Sequence, residues 1–181
     1  MLRDRYWFNV FLAGGLAVTL VCGCRTEAGK RKKELGTLRL HMEAHPDAGT
    51  QTVPIFRAHP YMITVEKQPF LTEANLEEAK LLDVVGGYSI SLKFDRQGTW
   101  LLDQYTTANR GRHVAIFCQW DPKPGEKLNQ GRWLMAEQIS KGITDGMLVF
   151  TPDADREEAE QIVTGLSNVG KKLHSSPDSK W

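Results

Sequence analysis

Apolar and polar side chains alternate in several short stretches of the chain, the pattern of a strand with one buried face. The clearest stretches are residues 38–43 and 88–95, where every second side chain is apolar. Further strands are predicted at 53–56, 61–65, 112–120, 132–139 and 147–150. The stretch 112–120 is apolar on both faces, which indicates a central strand. In the stretch 132–139, simple alternation sets Leu134 and Ala136 opposite Trp133 and Met135.

Apolar side chains at helical spacing predict three helices. Thr72 is a suitable N-cap for a short helix through Lys80, with Leu76 and Ala79 on its inner face. A second helix follows Asp95 and runs to about residue 109, before a glycine that can stop it. Its predicted apolar stripe consists of Leu101, Leu102, Tyr105 and Ala108. A third helix begins with Thr151 or Asp153 as its cap and ends near residue 170.

This order of elements predicts the class of the fold. We expect an α+β domain, with a mixed, mainly antiparallel sheet and two or three helices packed on one face. The strand–helix–strand segment from residue 88 to residue 120 is long enough for a right-handed crossover. Residues 35–68 are predicted to form an N-terminal strand region, residues 69–170 the main α+β domain, and residues 171–181 a frayed tail.

The first 24 residues have the pattern of a secretory signal. Arg3 and Arg5 precede an apolar stretch at 6–21. The sequence Val21-Cys22-Gly23-Cys24 that follows resembles the end of a bacterial lipoprotein signal. The resemblance implies a signal at 1–23, a lipid on Cys24, a tether at 24–34 and a periplasmic place in the cell envelope, with the outer membrane mildly favoured. The alternative is an uncleaved membrane anchor.

Charge and cysteine content exclude some functions. The 23 basic and 22 acidic residues nearly balance, which argues against a nucleic-acid-binding protein. Cys118 lies in an apolar run and is predicted to be a small buried side chain rather than a nucleophile. No motif for a cofactor is present, and none is expected.

Two groups of residues are candidates for a functional site. His41, Glu43 and His45 recur at every second residue and could bind zinc, although an exposed polar strand edge is the favoured interpretation. The second group borders or lies in the loop 121–131, and we expect it to bind a partner: Trp120, Lys123, Lys127 and Trp133. Trp100 is expected in the core instead.

The segment from residue 69 to residue 168 resembles the head of the first periplasmic region of SecD, a protein-export subunit. The resemblance is carried by Pro69-Phe70-Leu71-Thr72, by Asn109, Gly111 and Arg112, and by Gly165-Leu166. It implies an α+β head, and a partner that is an unfolded exported chain or an envelope protein. We therefore expect a lipid-anchored binding or scaffold domain without catalysis. The alternatives are a metal-dependent envelope enzyme that uses the His41 group, and a structural lipoprotein with no specific ligand.

Overall fold

The computed structural model describes residues 35–120 and 130–174. Nine strands are described: β1 (Gly36–Met42), β2 (Thr50–Ile55), β3 (Tyr61–Glu66), β4 (Leu71–Thr72), β5 (Leu76–Val84), β6 (Gly87–Phe94), β7 (His113–Trp120), β8 (Gln130–Gln138) and β9 (Met147–Phe150). The two α-helices are α1 (Arg96–Ala108) and α2 (Arg156–His174), and a 3-10 helix spans Glu73–Asn75. The predicted signal, the tether and most of the loop 121–131 lie outside the described residues.

The described strands form three separate sheets. The first sheet has the order β4-β1-β7-β8, the second is the hairpin β2-β3, and the third has the order β5-β6-β9. Every described pair is antiparallel. The predicted α+β class is confirmed, but the crossover within one sheet is wrong, because α1 leads from β6 in the third sheet to β7 in the first.

One large core lies between the first sheet, the third sheet and both helices. Leu38, Leu40 and Met42 point into it from β1 and are almost fully buried, as their alternation predicts. Leu102 of α1 and Ile162 of α2 join the same core. The two helices therefore hold the first and third sheets around one apolar interior.

A smaller core covers the opposite face of the first sheet. The hairpin β2-β3 supplies four buried aliphatic side chains: Val53, Ile55, Ile63 and Val65. They pack against Ala115 of β7 and Ala136 of β8. Because β7 lies between β1 and β8 and is covered on both faces, its predicted central position is confirmed.

The predicted helix at 72–80 is wrong beyond its first turn. Thr72 does accept a hydrogen bond from Ala74 N as a cap, but the helix is a single 3-10 turn. Strand β5 follows, with a bulge between Leu76 and Glu78. The bulge adds one residue between the buried Leu76 and Ala79, so their three-residue spacing imitates a helix.

A second bulge changes which side chains share a face of β8. Ile116 pairs with Met135 and Phe117 with Trp133, so Leu134 has no opposite residue. Leu134 and Met135 then both face the large core, and Trp133 and Ala136 both face the hairpin. The predicted opposition of Leu134 and Ala136 to Trp133 and Met135 is therefore wrong.

Helix α1 begins as predicted, and Leu101, Leu102 and Tyr105 of its predicted stripe pack in the large core. The Asp95 side chain accepts a hydrogen bond from Gly98 N at 2.7 Å. Gly111 adopts a φ of 85°, the left-handed conformation expected after a helix. Ala108, however, is exposed, and Thr106 is buried in its place.

The cap of α2 is Asp155 rather than Thr151 or Asp153. Its side chain accepts a hydrogen bond from Glu158 N at 2.8 Å, and Asp155 N donates to Glu158 Oε2 at 3.0 Å. These reciprocal bonds form a capping box. The helix continues to His174, so the first part of the predicted tail is helical.

Candidate functional site

Of the predicted partner-binding residues, the structure describes Trp120 and Trp133. Trp120 is only 2% exposed, and the guanidinium of Arg132 lies 4.9 Å from the centre of its ring. The core therefore holds Trp120, and its prediction as a surface residue is wrong. Lys123, Lys127 and the predicted lipidation site Cys24 lie outside the described residues.

The structure also describes Trp133 and Trp100. Trp133 is half-buried, with its ring 5.0 Å from that of His41 and 5.3 Å from that of Phe117. It thereby packs between the hairpin β2-β3 and the first sheet. Trp100, which we expected in the core, is 62% exposed on α1, so that prediction is wrong.

The structure separates His41, Glu43 and His45. His41 is buried, and its Nδ1 lies 2.7 Å from the carbonyl oxygen of Glu66. Burial lowers the pKa of His41, which favours the neutral ring. Glu43 binds His113, and His45 is exposed. Within 35–120 and 130–174 no three metal-binding side chains come together, so the structure does not support the zinc alternative.

The polar strand edge predicted at His41 is also wrong. Strand β1 lies between β4 and β7, with seven residues in register with β7. The hairpin β2-β3 covers its outer face, which is why a histidine is buried there. Cys118, in contrast, is confirmed as a buried side chain, and burial raises the pKa of its thiol.

A cleft of about 490 Å³ lies between β8 and β9, and we call it the edge cleft. It is lined by residues from β8, from the loop 139–146 and from β9. Buried apolar side chains form its floor: Val114, Ile139 and Leu148. Met147 and Val149 stand on its rim and are nearly half exposed. The edge cleft therefore combines an apolar floor with polar and charged walls, and it has about the size of a typical ligand pocket.

The backbone of β9 is open toward this cleft. Phe94 N donates to Gly146 O at 3.0 Å, and β9 continues that register against β6. Hydrogen-bonded and non-hydrogen-bonded pairs alternate in an antiparallel ladder. Leu148 therefore bonds to β6, whereas the N–H and C=O of Met147 and Val149 point away from it. Met147 N is satisfied by Asp145 Oδ1 at 3.0 Å, in accord with this alternation.

Strand β8 is open in the same way. Ile139 N donates to Arg112 O at 2.8 Å, which fixes the alternation of the pairs with β7. By the same rule the backbone groups of Gln138, which also lines the cleft, point away from β7. Two sheet edges with free backbone groups thus flank one apolar cleft, an arrangement that can accept an additional strand.

The loop 139–146 is fixed against α1 by glycines and threonines. Ile143 N donates to Thr106 Oγ1 at 2.9 Å. A Cβ atom at Gly146 would lie 2.1 Å from Thr99 Oγ1, and the φ of Gly146 is 69°. The residue must therefore be glycine, and the wall of the cleft is a fixed part of the fold.

Sequence reasoning missed the edge cleft. In the sequence, Met147 and Val149 are ordinary apolar residues of the short strand β9. Only the structure shows that both side chains are exposed rather than buried. That exposure depends on which sheet β9 joins and on what lies beside it. The charged lining side chains Glu137, Lys141 and Asp145 lie within nine residues of the chain but form no recognisable motif.

No helix in the described part of the chain is long and apolar enough to cross a bilayer.

Comparison with known proteins identifies relatives of this fold. The family described as "SecDF, P1 head subdomain" matches residues 50–168. No curated protein is significantly similar to the chain. One solved structure, described as "Structure and function of a membrane component SecDF that enhances protein export", is 21% identical, with a TM-score of 0.52 and coverage of 79% of this chain and 69% of that chain.

A second solved structure shares the fold. It is described as "Crystal structure of SecDF in Super-membrane-facing form" and is 20% identical, with a TM-score of 0.52. The match covers 79% of this chain but only 21% of that one, so this chain corresponds to about a fifth of that protein.

Proposed function

The chain belongs to the family of the SecDF P1 head subdomain, and from that premise we propose that it is a binding domain of the bacterial cell envelope. Its ligand in this proposal is an extended segment of an exported polypeptide. Binding takes place in the edge cleft and involves no catalysis. The observation that carries the proposal is the pair of open strand edges, on β8 and β9, beside an apolar floor.

An extended polypeptide matches this cleft in two respects. Its backbone can hydrogen-bond to the free N–H and C=O groups of Val149, as in strand addition. Its apolar side chains can pack on Leu148, Ile139 and Met147. Backbone pairing is independent of sequence, which suits a domain that would meet many different unfolded chains.

The N-terminal segment supports a place at a membrane. We propose that Cys24 carries a lipid and that residues 24–34 tether the domain to the bilayer on the periplasmic side. The segment 6–21 and the sequence Val21-Cys22-Gly23-Cys24 support this assignment. Mass measurement of the chain purified from membranes tests it: an acyl mass on Cys24, lost in Cys24→Ala, is the expected result, and an unmodified full-length chain would contradict it.

The binding proposal can be tested by removing one backbone hydrogen-bond donor of β9. Val149→Pro removes an N–H that points into the cleft and leaves the bonds from Leu148 to β6 intact, since proline is tolerated on edge strands. The probe is a fluorescently labelled, reduced and carboxymethylated protein that cannot fold, and fluorescence anisotropy gives its Kd. We expect Val149→Pro to weaken binding by about tenfold, which corresponds to the loss of one or two backbone hydrogen bonds.

The matched control is Val149→Thr, which keeps the N–H and the β-branched shape. It is expected to bind the probe within about twofold of the unchanged chain, because the backbone donor remains. Equal binding by the proline and threonine variants, with the native circular dichroism spectrum in both, would show that strand addition to β9 is not the mode of binding. No binding of the unfolded probe by the unchanged chain would refute the proposed function.

A further inference from the structure

Two hairpin turns expose apolar side chains to solvent. The turn between β2 and β3 presents Phe56, Tyr61 and Met62, and Met62 is 61% exposed. The turn between β5 and β6 presents Leu82, Val84 and Val85, and Val85 is fully exposed. We call them the apolar turns. Clustered exposed apolar groups of this kind mark surfaces that contact a partner or a membrane.

The first turn of α2 brings the apolar turns together. Arg57 of the β2-β3 turn donates from its backbone to Asp153 at 2.7 Å, and its guanidinium lies 3.2 Å from Glu158. On the other hairpin, Asp83 pairs with Arg156 at 2.7 Å. Both turns therefore lie at the N-terminal end of α2, although they belong to different sheets.

The backbone of the β2-β3 turn is held in an unfavourable conformation. Phe56 has a φ of 68°, which is rare for a bulky residue and strains the backbone. Its ring lies 5.8 Å from that of Tyr61 and is 36% exposed. The anchoring of Arg57 maintains this conformation and so keeps both rings at the surface.

The chain enters the domain beside the middle of α2. Gly36 packs closely on Gly165 and Leu166 of α2. Gly165 is seven residues, or about 10 Å, along the helix from Glu158. The residues before this point include the apolar stretch 6–21, and the segment 24–34 spans at most about 40 Å when extended. A membrane attachment in that segment would leave the apolar turns within reach of the bilayer.

We propose that the apolar turns insert into the interfacial layer of the bilayer and orient the domain on the membrane. This inference rests on the proposed attachment through the N-terminal segment. Two separate, protruding turns suit a fluid lipid surface, because lipids need no complementary shape to cover them. The neighbouring charges also favour lipid, since Arg57 and Arg156 are paired with acidic groups. Tyr61 and Phe56 are aromatic side chains of the kind found at membrane interfaces.

The test uses the full chain reconstituted into phosphatidylcholine and phosphatidylethanolamine vesicles that contain a small fraction of a photoactivatable phosphatidylcholine. Flotation of the vesicles first measures attachment. Illumination and peptide mass spectrometry then locate the lipid adducts. We expect adducts on residues 54–62 and 82–88 to exceed those on residues 96–100 at least fivefold, although Trp100 is equally exposed and apolar.

Paired variants provide the control. Met62→Ser with Val85→Ser is expected to reduce the adducts on the turns severalfold without altering flotation. Met147→Ser with Val149→Ser removes two other exposed apolar side chains and is expected to leave the adducts unchanged. Uniform labelling, or crosslinks between two protein copies at the turns with no lipid adducts, would overturn the inference while the attachment stands. Failure of the full chain to float with the vesicles would overturn both the attachment and the inference.

Discussion

Glu43 accepts two hydrogen bonds from His113, one from the backbone N at 2.8 Å and one from the ring Nδ1 at 2.7 Å. The contact joins the end of β1 to the start of β7, where Glu43 N also donates to His113 O. Burial acts to raise the pKa of Glu43, but the hydrogen bonds from His113 outweigh it, and the pKa is lowered. A group whose pKa falls on folding stabilises the folded state at neutral pH.

We therefore predict that Glu43→Gln destabilises the domain in a pH-dependent way. At pH 7 the free energy of unfolding should fall by about 0.5–1 kcal/mol, because a neutral amide accepts weaker hydrogen bonds and the site is partly exposed. The stabilisation by Glu43 is present above the pKa of an unfolded glutamate, about 4.3, and is lost as the pH falls through the lowered folded value.

Urea unfolding at a series of pH values measures this effect. The difference between Glu43→Gln and the unchanged chain should shrink toward zero as the pH falls, since protonated Glu43 is also neutral. A difference that stays constant from pH 7 down to pH 3 would contradict the assignment of the lowered pKa to Glu43.

Substitution of Gly146 tests whether the loop 139–146 is a fixed wall of the edge cleft. Gly146→Ala should lower the free energy of unfolding by more than about 2 kcal/mol, because the new Cβ meets Thr99 Oγ1 and the left-handed backbone also disfavours alanine. Gly86→Ala is the matched control: its φ is 88°, but no atom lies within 4 Å of the added Cβ. It should cost only the backbone strain, about 1 kcal/mol. Thermal and urea unfolding measure the stability of both variants. Equal losses of unfolding free energy would show that Thr99 moves away from the new Cβ at no cost.

Substitution of Arg132 tests the contacts that join β8, α2 and the hairpin β2-β3. Its guanidinium binds both oxygens of Glu158, at 2.7 and 3.0 Å, and donates to Asp153 O at 2.7 Å. The hydrogen bond from Arg132 lowers the pKa of Glu158. Arg132→Lys keeps the charge and loses the two-pronged geometry, so we expect a loss of about 1–3 kcal/mol in the free energy of unfolding at pH 7.

The same variant should change local protection. Faster amide hydrogen exchange is expected in β2 and β3, because Glu158 also binds Arg57 in the turn that joins them. The loss of stability should diminish as the pH falls through the lowered pKa of Glu158, because protonation of Glu158 removes its stabilisation from the unchanged chain as well. Glu78→Gln breaks an exposed pair with Lys80 and should leave both exchange and the unfolding midpoint unchanged.

Several elements were predictable because their signals are local. The alternation in β1 and β6 follows from the one face of each strand that packs in the large core, and the start of α1 follows from the Asp95 cap. The helix predicted over 72–80 failed because a bulge in β5 places buried residues three apart. The predicted face of Leu134 was wrong for the same reason, because β8 also contains a bulge. A bulge shifts the alternation of buried and exposed side chains by one residue, and no pattern in the flanking sequence indicates where it occurs.

By itself, the sequence determined the α+β class, most strand positions and the resemblance to the SecD head, because these depend on side chains close together in the chain. Only the tertiary structure decided the division into three sheets, the burial of His41 and Trp120, the exposure of Trp100 and the position of the edge cleft. These depend on which distant segments pack together: the hairpin β2-β3 covers His41, and β8 and β9 meet at a cleft because β8 joins the first sheet and β9 joins the third.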